Sequence, residues 1–276
     1  MQIKTTSVLV TCAAKDQELL PVVLQRLSRY GRGLGRILVV SPVPPPPLSG
    51  VKVDWLHDDR LPLKKAWLVP YLGADAALGW WWQQLVKLLA LDWWPHLGEK
   101  LLVWDSESVL LRPLCFEDSQ GRTWLHPASE VQAAYTDHQQ RLLPGLRRRY
   151  VNLSGITHWM LFDRFILNDL IDRVEDHWRM PFWQAFLAAV GSQWRVQGGA
   201  SEYDLYFNYA LQYHSVRVRL RSLPWCVSGE VAQIESMRNR FQYVTLHRHL
   251  RDQAATAIYY RQWCEKCEGV LPDNMV

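Results

Sequence analysis

Cysteine is scarce in this sequence, five in 276 residues, and the five follow no paired spacing. A disulfide framework is therefore excluded as the organising device. A single Cys-x-x-Cys, Cys264 and Cys267, stands near the C-terminus without the second pair that a structural zinc site requires. Long apolar runs are absent too. Asp75 and Lys87 break the most hydrophobic region, so no stretch of about 18 residues reads as a membrane-spanning helix. The opening Met-Gln-Ile-Lys-Thr-Thr lacks the charged and apolar regions of a secretion signal, and a cytoplasmic, reducing location is the expectation. No Gly-x-x-x-x-Gly-Lys-Ser/Thr phosphate loop occurs, and Gly198-Gly199 alone is too little to replace it. There is no internal repeat and no low-complexity linker.

Charge of one sign is also in short supply. Thirty-one Lys and Arg against 27 Asp and Glu leave a formal net charge of +4, too weak to indicate a nucleic-acid partner. Arginines do cluster at Arg147-Arg148-Arg149, between Arg217 and Arg221, and between Arg238 and Arg251. Such clusters suit phosphates or an anionic membrane face, and equally an ordinary solvated surface. What is abundant is tryptophan, 15 residues, in a chain that is 49% hydrophobic. That composition buries a sizeable core and excludes disorder. The clusters Trp80-Trp81-Trp82 and Trp93-Trp94 exceed what a core needs, and indole rings stack on sugars and bases or sit at membrane interfaces.

Along the chain, residues 7 to 12 read as a buried strand, 16 to 30 as a helix with Pro21 tolerated in its first turn, and 36 to 41 as a second strand. Strand, helix and strand within about 35 residues make a βαβ unit, hence a parallel sheet. A proline-stiffened loop, 42 to 50, precedes a third strand at 51 to 57 that runs into His57-Asp58-Asp59. Residues 77 to 92 carry helical spacing, with Trp81, Leu85, Leu88 and Leu89 on one face and Trp80, Gln84 and Lys87 on another. That second face suits a phosphate contact or plain solvent. Thr123 to His126 reads as an edge strand, Arg141 to Tyr150 as a basic loop, and Phe165 to Val190 as helix broken near Met180-Pro181. Ser201 to His214 reads as a helix with Ser201 as its N-cap, and Val216 to Leu220 as a strand. A short closing helix is expected in the tail.

The apolar run Leu101 to Trp104 stops abruptly at Asp105-Ser106-Glu107. Two carboxylates one residue apart at a strand end suit a divalent cation with oxygen ligands, Mg²⁺ or Mn²⁺. A polar turn capping the strand is the plainer alternative. Ligands of open α/β sheets bind beyond the carboxyl ends of strands, where Thr11 to Asp16, Asp58-Asp59 and Asp105-Glu107 would converge.

A strand ending in such an acidic pair, late in an N-terminal βαβ sheet, resembles the nucleotide-sugar glycosyltransferases of the GT-A fold. Four blocks are similar, in the same order, to a bacterial glycosyltransferase-like family of unknown function: Gly79-Trp80-Trp81-Trp82-Gln83-Gln84-Leu85-Val86-Lys87-Leu88, Trp104-Asp105-Ser106-Glu107-Ser108-Val109, Ile156-Thr157-His158-Trp159-Met160-Leu161-Phe162-Asp163 and Ser201-Glu202-Tyr203-Asp204-Leu205-Tyr206. The similarity spans residues 79 to 206 and loosens after about residue 225. It departs at the acidic motif, where the family pattern is usually Asp-Ser-Asp and Glu107 adds a methylene. It implies one α/β domain over 1–276 with a mostly parallel central sheet flanked by helices. Its nucleotide-binding part would cover about 1–115 and its acceptor-side part about 116–276.

The implied activity is transfer of a sugar from a nucleotide-diphosphate-sugar donor to a glycan or lipid-linked acceptor, with Mn²⁺ or Mg²⁺. The metal would rest on Asp105, on Glu107 directly or through water, and on His247 or His249. Thr11, Ala13, Asp58, Gln84, Lys87 and Asp105 would hold the donor nucleotide and its phosphates. Glu202 and Asp204 would be candidates for the base that deprotonates the acceptor, unless they serve only as helix N-terminal charges. His158 would position acceptor or phosphates, or satisfy a buried hydrogen bond. No nucleic acid is expected, and a peripheral contact with the inner membrane face is compatible. Two rivals are a non-catalytic nucleotide-sugar or glycan-binding protein on the same frame, and a metal-dependent phosphoryl-transferring or hydrolytic enzyme.

Overall fold

The computed structural model describes residues 5–196, 198–229 and 234–251, excluding the side chains of residues 248 and 249. Cys264 and Cys267, the closing helix and the His249 imidazole therefore lie outside the described residues. The chain runs β1 (Thr6–Thr11), α1 (Leu20–Tyr30), β2 (Gly31–Arg32), β3 (Leu34–Ser41), β4 (Val53–His57), α2 (Val69–Leu72), α3 (Leu78–Trp93) and β5 (Lys100–Trp104). It continues through β6 (Ser108–Leu110), β7 (Leu114–Cys115), β8 (Thr123–Leu125), α4 (Ala133–Leu142), β9 (Trp159–Asp163), α5 (Arg164–Trp178) and α6 (Phe182–Ala188). Last come α7 (Glu202–Tyr213), β10 (Val218–Leu220), β11 (Trp225–Val227), α8 (Ile234–Met237), β12 (Tyr243–Thr245) and α9 (Arg248–Arg251).

The main sheet has five strands in the order β4-β3-β1-β5-β9. The first four are parallel, and β9 pairs antiparallel to β5, with Trp104 opposite Trp159. The architecture is α/β, with a parallel-rich central sheet. Strands covered on both faces read as continuous apolar runs, and the two-residue period then sorts the side chains between two cores. Leu9, Leu101, Val103, Met160 and Phe162 enter the core that holds the buried faces of α3, α5, α6 and α7. Val8, Val10, Leu102, Trp104 and Leu161 enter the core shared with α1, β11 and β12.

The C-terminal half completes the N-terminal one. β9 extends the main sheet, and β12 runs antiparallel to β6 and parallel to β11 in a three-stranded sheet placed directly after the acidic turn. Beyond the main sheet, β8 pairs with β10 and β2 with β7.

Two features escape the sequence pattern. Helix α4 buries Ala134, His138, Gln139 and Leu142, a helical spacing in which two of the interior residues are polar. Hydrophobic periodicity therefore does not register it. β6, β11 and β12 span three residues each, too short for a two-residue period to show.

Gly155 fixes how the segment before β9 lies on α7. A Cβ there would stand 2.5 Å from Cβ of Phe207 and 2.6 Å from the Tyr203 carbonyl oxygen. Gly155→Ala is expected to destabilise the fold by about 1–3 kcal/mol, an overpacking cost, and to lower the thermal midpoint by several degrees. A variant melting with the parent in calorimetry would show that α7 yields freely at this contact.

Candidate functional site

The carboxyl ends of β1, β3, β4 and β5 open together on a cleft of about 910 Å³. Thr11 and Ala13 enter it from the end of β1, Asp58 from the turn after β4, and Asp105 and Glu107 from the turn after β5. Gln84 and Lys87 project from α3, Glu202 from the start of α7, His158 from the residue before β9, and His247 from the turn after β12. The expected convergence at the strand ends is what the chain does.

Asp105 sits at the first position of a turn closed by its carbonyl and the Ser108 amide at 3.0 Å. Its own amide donates to the His158 carbonyl at 3.0 Å, which continues the β5–β9 ladder by one bond. Oδ1 accepts from Lys87 Nζ at 2.8 Å and from the Tyr203 hydroxyl at 2.9 Å. Oδ2 faces His158 Nδ1 at 3.5 Å. The Lys87 ammonium is only 3% exposed and also donates to Glu202 Oε1 at 2.7 Å, over the face of the Tyr203 ring. Gln84 accepts the Glu202 amide at 3.0 Å, and its own Nε2, buried in the cleft wall, has no partner among the described residues.

Burial by itself would raise the Asp105 pKa, but the Lys87 charge and the His158 contact outweigh it and hold the carboxyl well below the usual range. Burial would likewise depress Lys87, but Asp105 and Glu202 overcome that and hold the ammonium above an ordinary lysine. Spacing alone offers Lys87 a phosphate or solvent. It is instead enclosed between two carboxylates, because an ammonium buried on a helix face needs paired charge.

Glu107 is partly exposed. Its Oε1 lies 2.5 Å from His247 Nδ1, and the Leu246 amide donates to its carbonyl at 2.8 Å. The His247 and His158 rings stand 5.2 Å apart, so both acidic residues of the turn are backed by imidazole. Two carboxylates and two histidines are a chemically apt donor set for Mg²⁺ or Mn²⁺. They do not close into one sphere on their own. The group of three His, Cys, Asp or Glu residues found within 4.8 Å of one another, among the described residues, is His57, Asp58 and Asp59. Much of that trio is already committed: Asp58 pairs with Lys65 at 2.8 Å and His57 Nδ1 accepts the Asp59 amide at 3.1 Å.

Asp204 does not reach the cleft. It is fully buried, accepting from the Gly155 amide at 2.9 Å, from Gln139 Nε2 at 2.8 Å and from Arg148 at 3.3 Å. A carboxylate locked among three donors has no access to an acceptor, so the expectation that it acts as a base is corrected to a structural role. Glu202 lies in the cleft wall but its charge is engaged by Lys87. Glu130 and Tyr135, which line the cleft beside α4, carry no motif that marks them in the sequence. Nor does the Arg251 guanidinium. It donates to Asp16 at 2.7 Å and to the Leu246 carbonyl at 2.9 Å, and so fastens the His247 turn to the loop after β1.

Among the described residues no helix is long and apolar enough to cross a membrane. No protein-family model matches the chain, and comparison with curated proteins yields no match.

Removing the Lys87 charge leaves two carboxylates facing each other in a buried site. Lys87→Met is expected to cost about 3–5 kcal/mol at neutral pH. The pH dependence follows from the direction of each shift. Asp105, with a lowered pKa, stabilises the fold fully above its ordinary pKa of about 3.9, and that share is lost as pH falls through the folded value. Lys87, with a raised pKa, contributes fully below about 10.4 and loses its share only as pH rises through its folded value. Neither share changes between pH 7 and pH 4 in the parent. In Lys87→Met, however, the burial of Asp105 is no longer offset by the ammonium, so the buried carboxyl takes up a proton as pH falls and the deficit in urea unfolding should shrink over that range. A deficit that is small, or constant over that range, would show that the ammonium carries no such charge balance.

Proposed function

We propose that the chain is a metal-dependent transferase of the GT-A type, moving a sugar from a nucleotide-diphosphate donor to an acceptor hydroxyl. One observation carries the reading: the acidic turn after β5 opens, together with the ends of three other parallel strands, on a cleft with an excess of negative charge. Six carboxylates line that cleft (Asp16, Asp58, Asp105, Glu107, Glu130 and Glu202) against three lysines (Lys15, Lys65 and Lys87). A diphosphate is itself anionic and would be repelled from such a surface unless a cation came with it. The strand order and the antiparallel β9 support the same fold reading.

Asp105, Glu107 and His247 would hold the cation, two carboxylates and a histidine, with phosphate and water completing the shell. Bound there, it supplies Lewis-acid neutralisation of the charge that grows on the departing diphosphate. The protein's own groups do the rest. Lys87 fixes Asp105 in place and sets the local charge, His158 backs the outer oxygen of Asp105, and the unpaired Gln84 amide offers a donor to a ligand oxygen. Thr11, Ala13 and Asp58 would line the nucleoside end, where Asp58 presents a carboxylate to ribose hydroxyls. The enclosed Lys87–Asp105 pair also favours a second reading, a nucleotide-sugar-binding protein without turnover, since a fixed ammonium already neutralises half of the acidic turn.

The test is a thermal-shift series with UDP, GDP, CDP and dTDP, each with and without Mn²⁺. One nucleotide is expected to stabilise the chain only with metal, by roughly 2.7 kcal/mol at about 100 times its dissociation constant. Glu107→Gln should weaken that response by more than the small loss of metal-free stability that follows from its altered contact with His247. Silence towards all four nucleotides would sink the transferase reading. Binding with metal but no release of sugar from any matching donor would select the non-catalytic one.

A further inference from the structure

Three groups lining the cleft, Trp80, Tyr135 and Glu130, have no part in holding the nucleotide or the cation. Trp80, Gln84 and Lys87 follow one another up the cleft-facing side of α3 at a helical spacing, and Gln84 and Lys87 both touch Glu202. Trp80 is the next step along, half-buried, with its indole held edge-on against Trp81 at 4.9 Å. On its other side lies Gly198, where the backbone has φ of +82° and a Cβ would stand 2.9 Å from the indole. The indole is thus fixed in orientation while still forming cleft wall.

To the same cleft α4 brings Tyr135, and the loop before α4 brings Glu130. No described residue hydrogen-bonds the Tyr135 phenol, and the Glu202 and Glu130 carboxylates both bear on it. Burial first, then those charges, push its pKa up to about 12, so it is a neutral donor at any ordinary pH. Glu130 accepts from the Gln132 side-chain amide at 2.8 Å. It is partly exposed and stands in a loop, whereas Glu202 is buried at the start of α7. Glu202, by contrast, would have to abandon a buried ammonium to accept a proton.

We infer that Trp80, Tyr135 and Glu130 form the acceptor subsite, that the acceptor is a neutral carbohydrate ring, and that Glu130 is the base that takes its proton. An aromatic face, a phenol donor and a carboxylate acceptor are what a hydroxylated ring with an apolar CH face requires. The inference rests on the donor reading for its chemistry and on the cleft alone for its binding. In the step, the acceptor hydroxyl gives its proton to Glu130 and its oxygen forms the bond to the sugar C1. The C1–oxygen bond to the diphosphate breaks, and its electron pair leaves with the nucleotide diphosphate. No oxidant or further reactant is needed. One displacement of this kind inverts the configuration at C1.

The experiment uses the full chain with phenyl β-glucoside, phenyl β-galactoside and phenyl α-mannoside as probes, followed by saturation-transfer NMR and by transfer from UDP-sugars with Mn²⁺. At least one hexoside should bind. Tyr135→Phe, which removes one hydroxyl from a cleft position, should weaken it roughly 3- to 10-fold, the loss of one neutral hydrogen bond. Glu130→Gln should weaken hexoside binding no more than Tyr135→Phe does, leave Mn²⁺–UDP binding within about twofold, and cut transfer by about 10²–10⁴, far beyond the binding loss. Trp80→Ala should abolish hexoside binding, and the two isosteric variants keep the test intact should that one fail to fold. Hexoside binding indifferent to Tyr135→Phe, or absent from the parent chain, overturns the subsite. Full transfer by Glu130→Gln overturns the base. Tyr135-sensitive hexoside binding in a chain that ignores every nucleotide would uphold the subsite and overturn the donor reading, so the two failures are separable.

Discussion

The Lys87 ammonium is the point on which the cleft depends. It belongs to α3, yet it binds the residue that ends β5 and the residue that begins α7, at 2.8 and 2.7 Å. Three elements distant in sequence are thereby held at one place by one charge. The alternative geometries are costly: a buried ammonium with one partner, or two buried carboxylates with none, each lose several kcal/mol. Tyr203 tightens the arrangement, covering the ammonium with its ring and donating to the same Asp105 oxygen. The acidic turn is consequently rigid on its inner side and open on its outer side, where Oδ2 and Glu107 face the cleft.

That division explains why so many acidic residues coexist at the strand ends. Each one on the inner wall has a dedicated cation: Lys87 for Asp105 and Glu202, Lys65 for Asp58, Arg251 for Asp16. Asp16 has its pKa raised by burial and then by Glu107, so these charges do feel one another across the cleft and Arg251 only partly offsets it. Glu107 meets an imidazole and Glu130 a side-chain amide.

Much of this is legible in the sequence, because β1, β5 and the second half of β3 are buried on both faces and so read as apolar runs, while the half-exposed edge strand β4 is set off by the proline-rich loop before it and His57-Asp58-Asp59 after it. The residues alone place β1, β3, β4 and β5 and the acidic turn after β5, and with them Thr11, Asp58, Asp105 and Glu107. The N-cap of α7 is legible for the same local reason, a Ser201 whose hydroxyl accepts the Asp204 amide. Lys87 and Gln84 fall on one helix face, but spacing cannot say whether a polar face meets solvent or a buried partner 115 residues away. Asp204 shows the reverse failure. It lies two residues from Glu202 in one matched block, and 100° of turn per residue sends one carboxylate to the cleft wall and the other into a closed network of Gln139, Arg148 and Gly155. Glu130 and Tyr135 leave no trace, since they come from a loop and a polar-faced helix without periodicity.

Glu107 in place of the shorter carboxylate of the Asp-Ser-Asp pattern gains a meaning from its neighbours. Its backbone is tied by the Leu246 amide to the turn that carries His247, which Arg251 in turn fastens to the loop after β1. The side chain meets the imidazole through Oε1 at 2.5 Å, which leaves Oε2 outside that contact. An aspartate on the same backbone would stop one methylene short. With glutamate, the acidic turn and the C-terminal turn become one unit, joined through a main-chain bond and a carboxylate–imidazole contact. The longer side chain therefore uses its extra reach to link the two turns, and still has a second oxygen with which to meet a cation.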